Sequence, residues 1–219
     1  MEYKETYEKS WEISKRGKFT DYERNLLLPE FFSGGGKILD VAGGPGIVGE
    51  WFKNKGYEVT LIDFVDNALG VAKGKGLNVI KSKIEEIEWG TLNKFDYVFL
   101  GDIIEHLFNV EGLIEGVKKV LKPGGKVIIS CPNMAYWRFR MYYALDGDLE
   151  RIDVIKAKPW NQEHIRFYNV RVLKELMGLY GFNFIKMRGS NNIWHSKWLA
   201  KKCPNLFAHT IVSEFKSGK

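Results

Sequence analysis

The chain has 219 residues, 45% of them hydrophobic and 27% charged, a size and balance that suit one globular unit and argue against disorder. Lysine and arginine exceed the acids by enough to leave a net charge of +6, but the lysines, Lys53, Lys55, Lys73, Lys75, Lys81 and Lys83 among them, are scattered rather than clustered as a nucleic-acid footprint requires. No run approaches the roughly 18 apolar residues that span a bilayer, residues 1–11 mix charges with aromatics unlike a secretory leader, and Cys131 and Cys203 make neither a disulfide framework nor a zinc spacing, so a cytoplasmic setting is expected.

Residues 5–32 carry Tyr7, Trp11, Tyr22, Leu26 and Leu27 at helical spacing and read as one or two helices ahead of the core. A short apolar run at 37–41, ending in glycines, predicts a buried first strand. Residues 47–55 follow as a helix stopped by Gly56. Next come a strand at 57–62, a helix at 67–73, and strands at 77–80 and 95–100. A helix at 110–121 ends in the Lys122-Pro123-Gly124-Gly125 turn, and a fifth strand spans 127–130. Strands alternating with helices predict βαβ units, and so a mostly parallel sheet with helices on both faces. The pattern breaks across 134–159, which is aromatic and basic, with Tyr136, Trp137, Arg138, Arg140, Tyr142 and Tyr143. It resumes with Asn169 as N-cap of a helix at 170–180, a stop at Gly181, a strand at 182–187, a helix at 193–202 and a last strand at 206–215.

Ligands of such sheets lie beyond the carboxyl ends of the strands. The first strand runs into Asp40-Val41-Ala42-Gly43-Gly44-Pro45-Gly46, where glycines allow a sharp turn and a close approach at a helix N-terminus. Residues 44–49 also fit the dinucleotide pattern G-x-G-x-x-G. Two features turn the loop away from NAD. Asp40 would repel a pyrophosphate and attract a cation, and Pro45 removes an N–H from the loop that should donate to phosphate. S-adenosylmethionine (SAM), with its sulfonium and ammonium groups, suits the loop better. The second strand ends in Asp63, placed to accept from ribose hydroxyls. Phe64 and Ile84 could pack on the two faces of an adenine.

These segments resemble a class I SAM-dependent methyltransferase, of the small type related to the ubiquinone-biosynthesis and methionine-biosynthesis W enzymes. The glycine loop at 38–46, Asp63, the segment at 95–106, the Leu-Lys-Pro-Gly-Gly turn at 121–125, Cys131-Pro132-Asn133 and His164-Ile165-Arg166-Phe167 carry the resemblance. It implies a Rossmann-like α/β fold with a seven-stranded, mostly parallel sheet whose antiparallel last strand is inserted between its neighbours. It also implies one methyltransferase domain over 1–219, with an N-terminal helical segment at 1–35 and an acceptor-side insert at 132–166. Gly101 and Asp102 are expected beside the methionine part of SAM. Two positions depart from the family. Ala42 stands where glycine is usual, which is expected to be tolerated with φ negative. Lys83 stands where an acid usually accepts from the adenine amino group, and lysine has no acceptor, so the main chain of Lys83 and Ile84 is expected to read the adenine.

Methyl transfer from a sulfonium depends on alignment in a dry pocket, with a base required only where the acceptor must lose a proton. His106 and His164 are the candidate catalytic groups. Glu105, Tyr136, Trp137, Arg138 and Arg166 are the candidate acceptor contacts, and Trp160, Trp194 and Trp198 could line the same cavity. Each has a structural alternative: a capped helix-end histidine, an arginine clamping a carboxylate such as Glu163 or Glu105, aromatics packing over a sheet edge. No group has metal-ligand spacing, and no metal is expected. The expected partner is a small-molecule methyl acceptor, with nucleic acid disfavoured and no membrane; nothing sets the oligomeric state. The rival readings are an RNA or protein methyltransferase, a non-catalytic SAM-binding protein and an NAD-linked oxidoreductase.

Overall fold

The computed structural model describes residues 17–147, 164–191 and 197–218. Its centre is a seven-stranded sheet of order β3-β2-β1-β4-β5-β7-β6. The strands are β1 (Gly36–Val41), β2 (Tyr57–Asp63), β3 (Asn78–Lys81), β4 (Phe95–Gly101), β5 (Leu121–Pro132), β6 (Phe182–Ser190) and β7 (Thr210–Ser217). β1 to β5 pair in parallel, whereas β7 is antiparallel to both β5 and β6. The mixed, Rossmann-like sheet with an inserted antiparallel last strand is the one expected.

Strand alternation sends successive side chains to opposite faces. Ile38, Phe99 and Ile128 point to one face, where they pack with Val48 and Phe52 of α1 (Ile47–Asn54), Leu69 and Ala72 of α2 (Asp66–Gly74), and Leu28 and Phe31 of the N-terminal segment. Leu39, Val98 and Ile129 point to the other, against Leu113 and Val117 of α3 (Val110–Val120) and Leu173 and Met177 of α5 (Val170–Leu179). Asn109 and Asn169 cap α3 and α5 through their side chains, accepting from Gly112 N and Val172 N. No helix among the described residues is long and apolar enough to cross a membrane.

Three of the expected elements differ, and a fourth holds where it is described. The N-terminal segment is not α-helical where described: Phe19–Asp21 and Glu23–Glu30 are 3-10 turns, and Pro29 inside the second cannot continue an α-helical ladder. Within the aromatic-basic stretch, Trp137–Asp146 forms a regular helix, α4. Of the helix expected at 193–202, Lys197–Lys202 is described and helical, α6. The last strand starts later than the apolar run implies, because Pro204–Phe207 winds into a short helix, α7, with proline at its first turn. Tyr7, Trp11, Trp160, Glu163 and Trp194 lie outside the described residues.

Candidate functional site

The carboxyl ends of β1, β2, β4 and β5 meet at one rim of the sheet, and most of the residues singled out in the sequence lie there. The turn after β1 is fixed by hydrogen bonds from Gly43 N to Ile62 O (3.3 Å) and Gly46 N to Gly43 O (3.0 Å). A Cβ on Gly43 would stand 2.6 Å from Leu61 Cδ1 and 2.7 Å from Asp40 Oδ2, whereas one on Gly44 would meet nothing within 4 Å. The chain therefore presses against the core at Gly43 and opens outward at Gly44, a backbone cradle. Gly46, with φ +69°, leads into α1.

Ala42 departs from expectation. Its φ is +57°, in the left-handed region that costs an L-residue about 1–2 kcal/mol. Replacement by glycine removes that strain but adds chain entropy of about 0.5–1 kcal/mol in the unfolded state. We expect Ala42→Gly to stabilise the protein by up to about 1 kcal/mol, a rise of roughly 2–4 °C in Tm. A melting curve that is unchanged or shifted downward would show no strain at this turn.

Two acids flank the cradle. Asp40 lies beneath it, 2% exposed, and its Oδ2 has no hydrogen-bond partner. Burial pushes its carboxyl up to about 7, opposed by the charge of Arg24 and reinforced by that of Asp63. Asp63 caps the second turn: Oδ2 accepts from Gly44 N (2.9 Å) and Oδ1 from Val65 N (3.0 Å). Burial raises its carboxyl as well, with the Val65, Gly44 and Phe64 amides pulling the other way. Phe64 and Ile84 are half-buried, Ile84 packing on the core. Lys83 is turned to solvent, its Nζ 3.2 Å from Glu86 Oε1. Its carbonyl already accepts from Glu86 N and Ser82 Oγ, so adenine recognition through that carbonyl would compete with local bonds.

The turn after β4 holds a second strained residue, Asp102 (φ +50°). Its N–H donates to Ser130 O at 3.0 Å and to Ser130 Oγ at 3.1 Å, and Ser130 Oγ donates to Asp102 Oδ1 at 2.6 Å. Arg24 Nη1 pairs with Asp102 Oδ2 and donates to Ser130 Oγ at 3.2 Å. The sequence reading missed Arg24 and Ser130. No local motif marks Arg24, which reaches the rim because the 3-10 segment folds back over the sheet. Gly101 is required here, since a Cβ would lie 2.6 Å from the Phe99 ring and 3.4 Å from Arg24 Nη1.

Beyond Asp102, the turn Ile104–His106 meets the segment from His164. Ile165 N and Arg166 N both donate to Glu105 O (2.9 and 3.1 Å), and the His106 and His164 rings stand 4.8 Å apart, edge to face. The structure thus joins the two expected histidines, although 57 residues separate them in the chain. Buried Glu105 completes a group in which one ligand atom from each of Glu105, His106 and His164 falls within 4.8 Å of the others. Sequence spacing gave no hint of this set, because His164 comes from a distant segment. A carboxylate and two imidazoles are donors suited to a divalent ion, which would polarise an acceptor oxygen there.

Arg166 faces elsewhere than expected. Its Nε donates to Leu107 O at 2.8 Å and its Nη2 to Phe108 O, so the guanidinium clamps main-chain carbonyls rather than Glu105 or an open acceptor position. Arg138 Nη2 donates to Tyr142 Oη at 2.9 Å, one turn along α4. Tyr136 and Phe139 are buried, with Met134, Trp137 and Tyr142 packed around them. Trp198 is 61% exposed, with Lys202 Nζ 4.6 Å over its ring. The opposite rim carries a polar cleft of about 330 Å3 around residues 34–36 and 122–126. Its lining carboxylate, Asp96, is already bound by Lys122 and the Lys37 amide, and no candidate catalytic group faces it.

One rim of the α/β sheet thus gathers a glycine turn over the buried Asp40, a second acid, Asp63, at the next strand end, and the His106–His164 pair. A family model described as a methyltransferase domain matches residues 14–187, and the chain belongs to that family. It is 33% identical over 105 residues to a ubiquinone biosynthesis O-methyltransferase of Dechloromonas aromatica, a match that covers 45% of each chain. To the mitochondrial ubiquinone biosynthesis O-methyltransferase of Bos taurus it is 24% identical over 196 residues, covering 83% of this chain and 51% of that one. The chain thus spans about half the length of these curated relatives. Among solved structures, a SAM-dependent methyltransferase from Archaeoglobus fulgidus superposes with a TM-score of 0.66 at 20% identity, over 93% of this chain and 97% of that one. The chain therefore carries a methyltransferase domain of that family.

Proposed function

We propose that the protein transfers the methyl group of SAM to a hydroxyl oxygen of a small, ring-bearing acceptor. The observation that carries this reading is the joined pair His106–His164, with rings 4.8 Å apart, at the rim where buried Tyr136 and Phe139 supply an aromatic wall. Apolar walls with a few convergent polar groups favour a small organic ligand. The names of the two sequence relatives support an oxygen acceptor. The free thiols Cys131 and Cys203 fit a cytoplasmic setting.

In this reading SAM lies across the ends of β1, β2 and β4. Ala42, Gly43, Gly44 and Gly46 shape the cradle, Asp40 attracts the cationic end, and Asp63 accepts from the ribose. Phe64 and Ile84 flank the adenine. Gly101 and Asp102 border the methionine part, and Arg24 is the cation within reach of its carboxylate. Asp63→Ala is expected to weaken SAM binding at least about tenfold, ~1.4 kcal/mol, by calorimetry; an unchanged affinity removes Asp63 from the site. The acceptor reading is tested with radiolabelled SAM against metabolite extract and RNA in separate reactions. Label in a small, alkali-stable ether supports it, and label confined to RNA or protein overturns it.

A further inference from the structure

The chain has four histidines, and one that the sequence reading passed over, His209, shares the rim of His106 and His164. Topology puts it there. β7 runs antiparallel to β5, and its first residue, Thr210, pairs with Pro132, the last residue of β5. The residue before β7 therefore stands at the carboxyl edge of the parallel strands, where ligands bind.

The position is held from several sides. Asn133 Nδ2 donates to the carbonyls of Pro204, Asn205 and Ala208 at 3.2, 3.1 and 2.9 Å. Asn133 N donates to His209 O, and His209 N to Ser190 O, both at 2.8 Å. The imidazole is half-buried and packs edge-on to Tyr136 and Phe139, with ring centroids 5.8 and 5.2 Å away. Nδ1 lies 3.2 Å from Thr210 Oγ1. With Nδ1–H donating to that oxygen, the lone pair sits on Nε2.

We propose that His209 Nε2 is the general base that takes the hydroxyl proton of the acceptor during methyl transfer, oriented by Thr210; the inference rests on the hydroxyl reading above. As the acceptor oxygen attacks the methyl carbon of SAM, its proton passes to Nε2. The carbon–sulfur bond breaks with its electron pair remaining on sulfur. The products are the methyl ether, S-adenosylhomocysteine and an imidazolium, which returns its proton to water. The surroundings favour a neutral resting ring. Burial holds His209 below the usual histidine range, the charge of Asp102 opposes this, and Arg138 and His164 reinforce it. Among the described residues, these three and Tyr136 face it from the β4 turn, α4 and the His164 segment. A base that rests unprotonated at neutral pH is ready to act.

The test uses catechol and 4-nitrocatechol at about pH 8, where the nitro compound is already ionised and needs no base. His209→Phe keeps an aromatic ring in the slot beside Tyr136 and Phe139, and its SAM affinity, measured by titration, reports an intact fold. The expected result is a loss of about a hundredfold in kcat on catechol, with turnover of 4-nitrocatechol and KM for SAM within about threefold of wild type. The wild-type kcat falls as pH drops below the histidine range, and that acid limb disappears in the variant. Thr210→Val lowers kcat on catechol by a smaller factor and leaves 4-nitrocatechol untouched. Equal loss on both acceptors, or an acid limb that survives the substitution, overturns the base assignment. Failure of the wild-type enzyme to methylate either compound overturns the hydroxyl reading and this inference together.

Discussion

Asp40→Asn is expected to stabilise the cofactor-free protein at about pH 8 by roughly 2–4 kcal/mol while weakening SAM binding at least about tenfold. Burial raises the folded-state carboxyl from 3.8 to about 7. Asp40 therefore contributes stability that is fully present below about pH 4, where both folded and unfolded chains are protonated. That contribution is lost as the pH rises through about 7, because the folded state must then hold a buried charge whose Oδ2 has no partner. The rise from 3.8 to about 7 corresponds to about 4 kcal/mol at most. Asparagine never ionises, so melting temperatures of the variant should lose this slope between about pH 4 and 7. Binding runs the opposite way. A cationic ligand favours the ionised acid, so wild-type affinity for SAM should climb as the pH rises toward about 7 and level off above it, whereas the variant stays flat. Thermal melts and titrations across that range check both halves. A variant that loses stability at pH 8, or binds SAM as tightly as wild type, contradicts the role given to Asp40.

Gly43→Ala should reduce SAM affinity by at least about a hundredfold, ~2.8 kcal/mol, with little acceptor-specific character. The new Cβ would stand 2.6 Å from Leu61 Cδ1 and 2.7 Å from Asp40 Oδ2. Leu61 is fully buried in β2, so it has little room to retreat, and close-packed interiors transmit such strain. The loop must then rise into the space the cofactor would occupy and pull Gly44 N away from Asp63. Gly44→Ala is the control, since nothing lies within 4 Å of its added Cβ on the protein side and its own difficulty is φ +55°. Calorimetry on the pair separates a clash at Gly43 from a general loss of glycine flexibility; equal, small effects would show that the cradle does not set the approach of the cofactor.

How much of this was legible in the sequence follows from how local each feature is. β1 to β5 and their helices announce themselves through short apolar runs, glycine stops and the Pro-Gly-Gly turn, and the acids Asp40 and Asp63 fall at strand ends that any parallel sheet gathers to one rim. The 3-10 character of Glu23–Glu30 was hidden because helical spacing looks the same until Pro29 interrupts the ladder. Ala42 was expected to be tolerated with φ negative, whereas the turn, with Gly43 N bonded to Ile62 O, holds it at +57°. Arg166 differs in another way: its sequence neighbours point to an acceptor, yet its guanidinium donates to the carbonyls of Leu107 and Phe108. Arg24 and His209 reach the site only through the folded-back N-terminal segment and the antiparallel return of β7, and neither connection leaves a mark in the residues beside them.

Calorimetric titration of the protein with SAM near pH 6.5, in two buffers of different ionisation enthalpy, tests the central claim most directly. The account predicts saturable binding at one site with net release of a proton, as Asp40 gives up its hydrogen beside the cationic ligand. Uptake of NAD in place of SAM, or no heat with either SAM or S-adenosylhomocysteine, would contradict it.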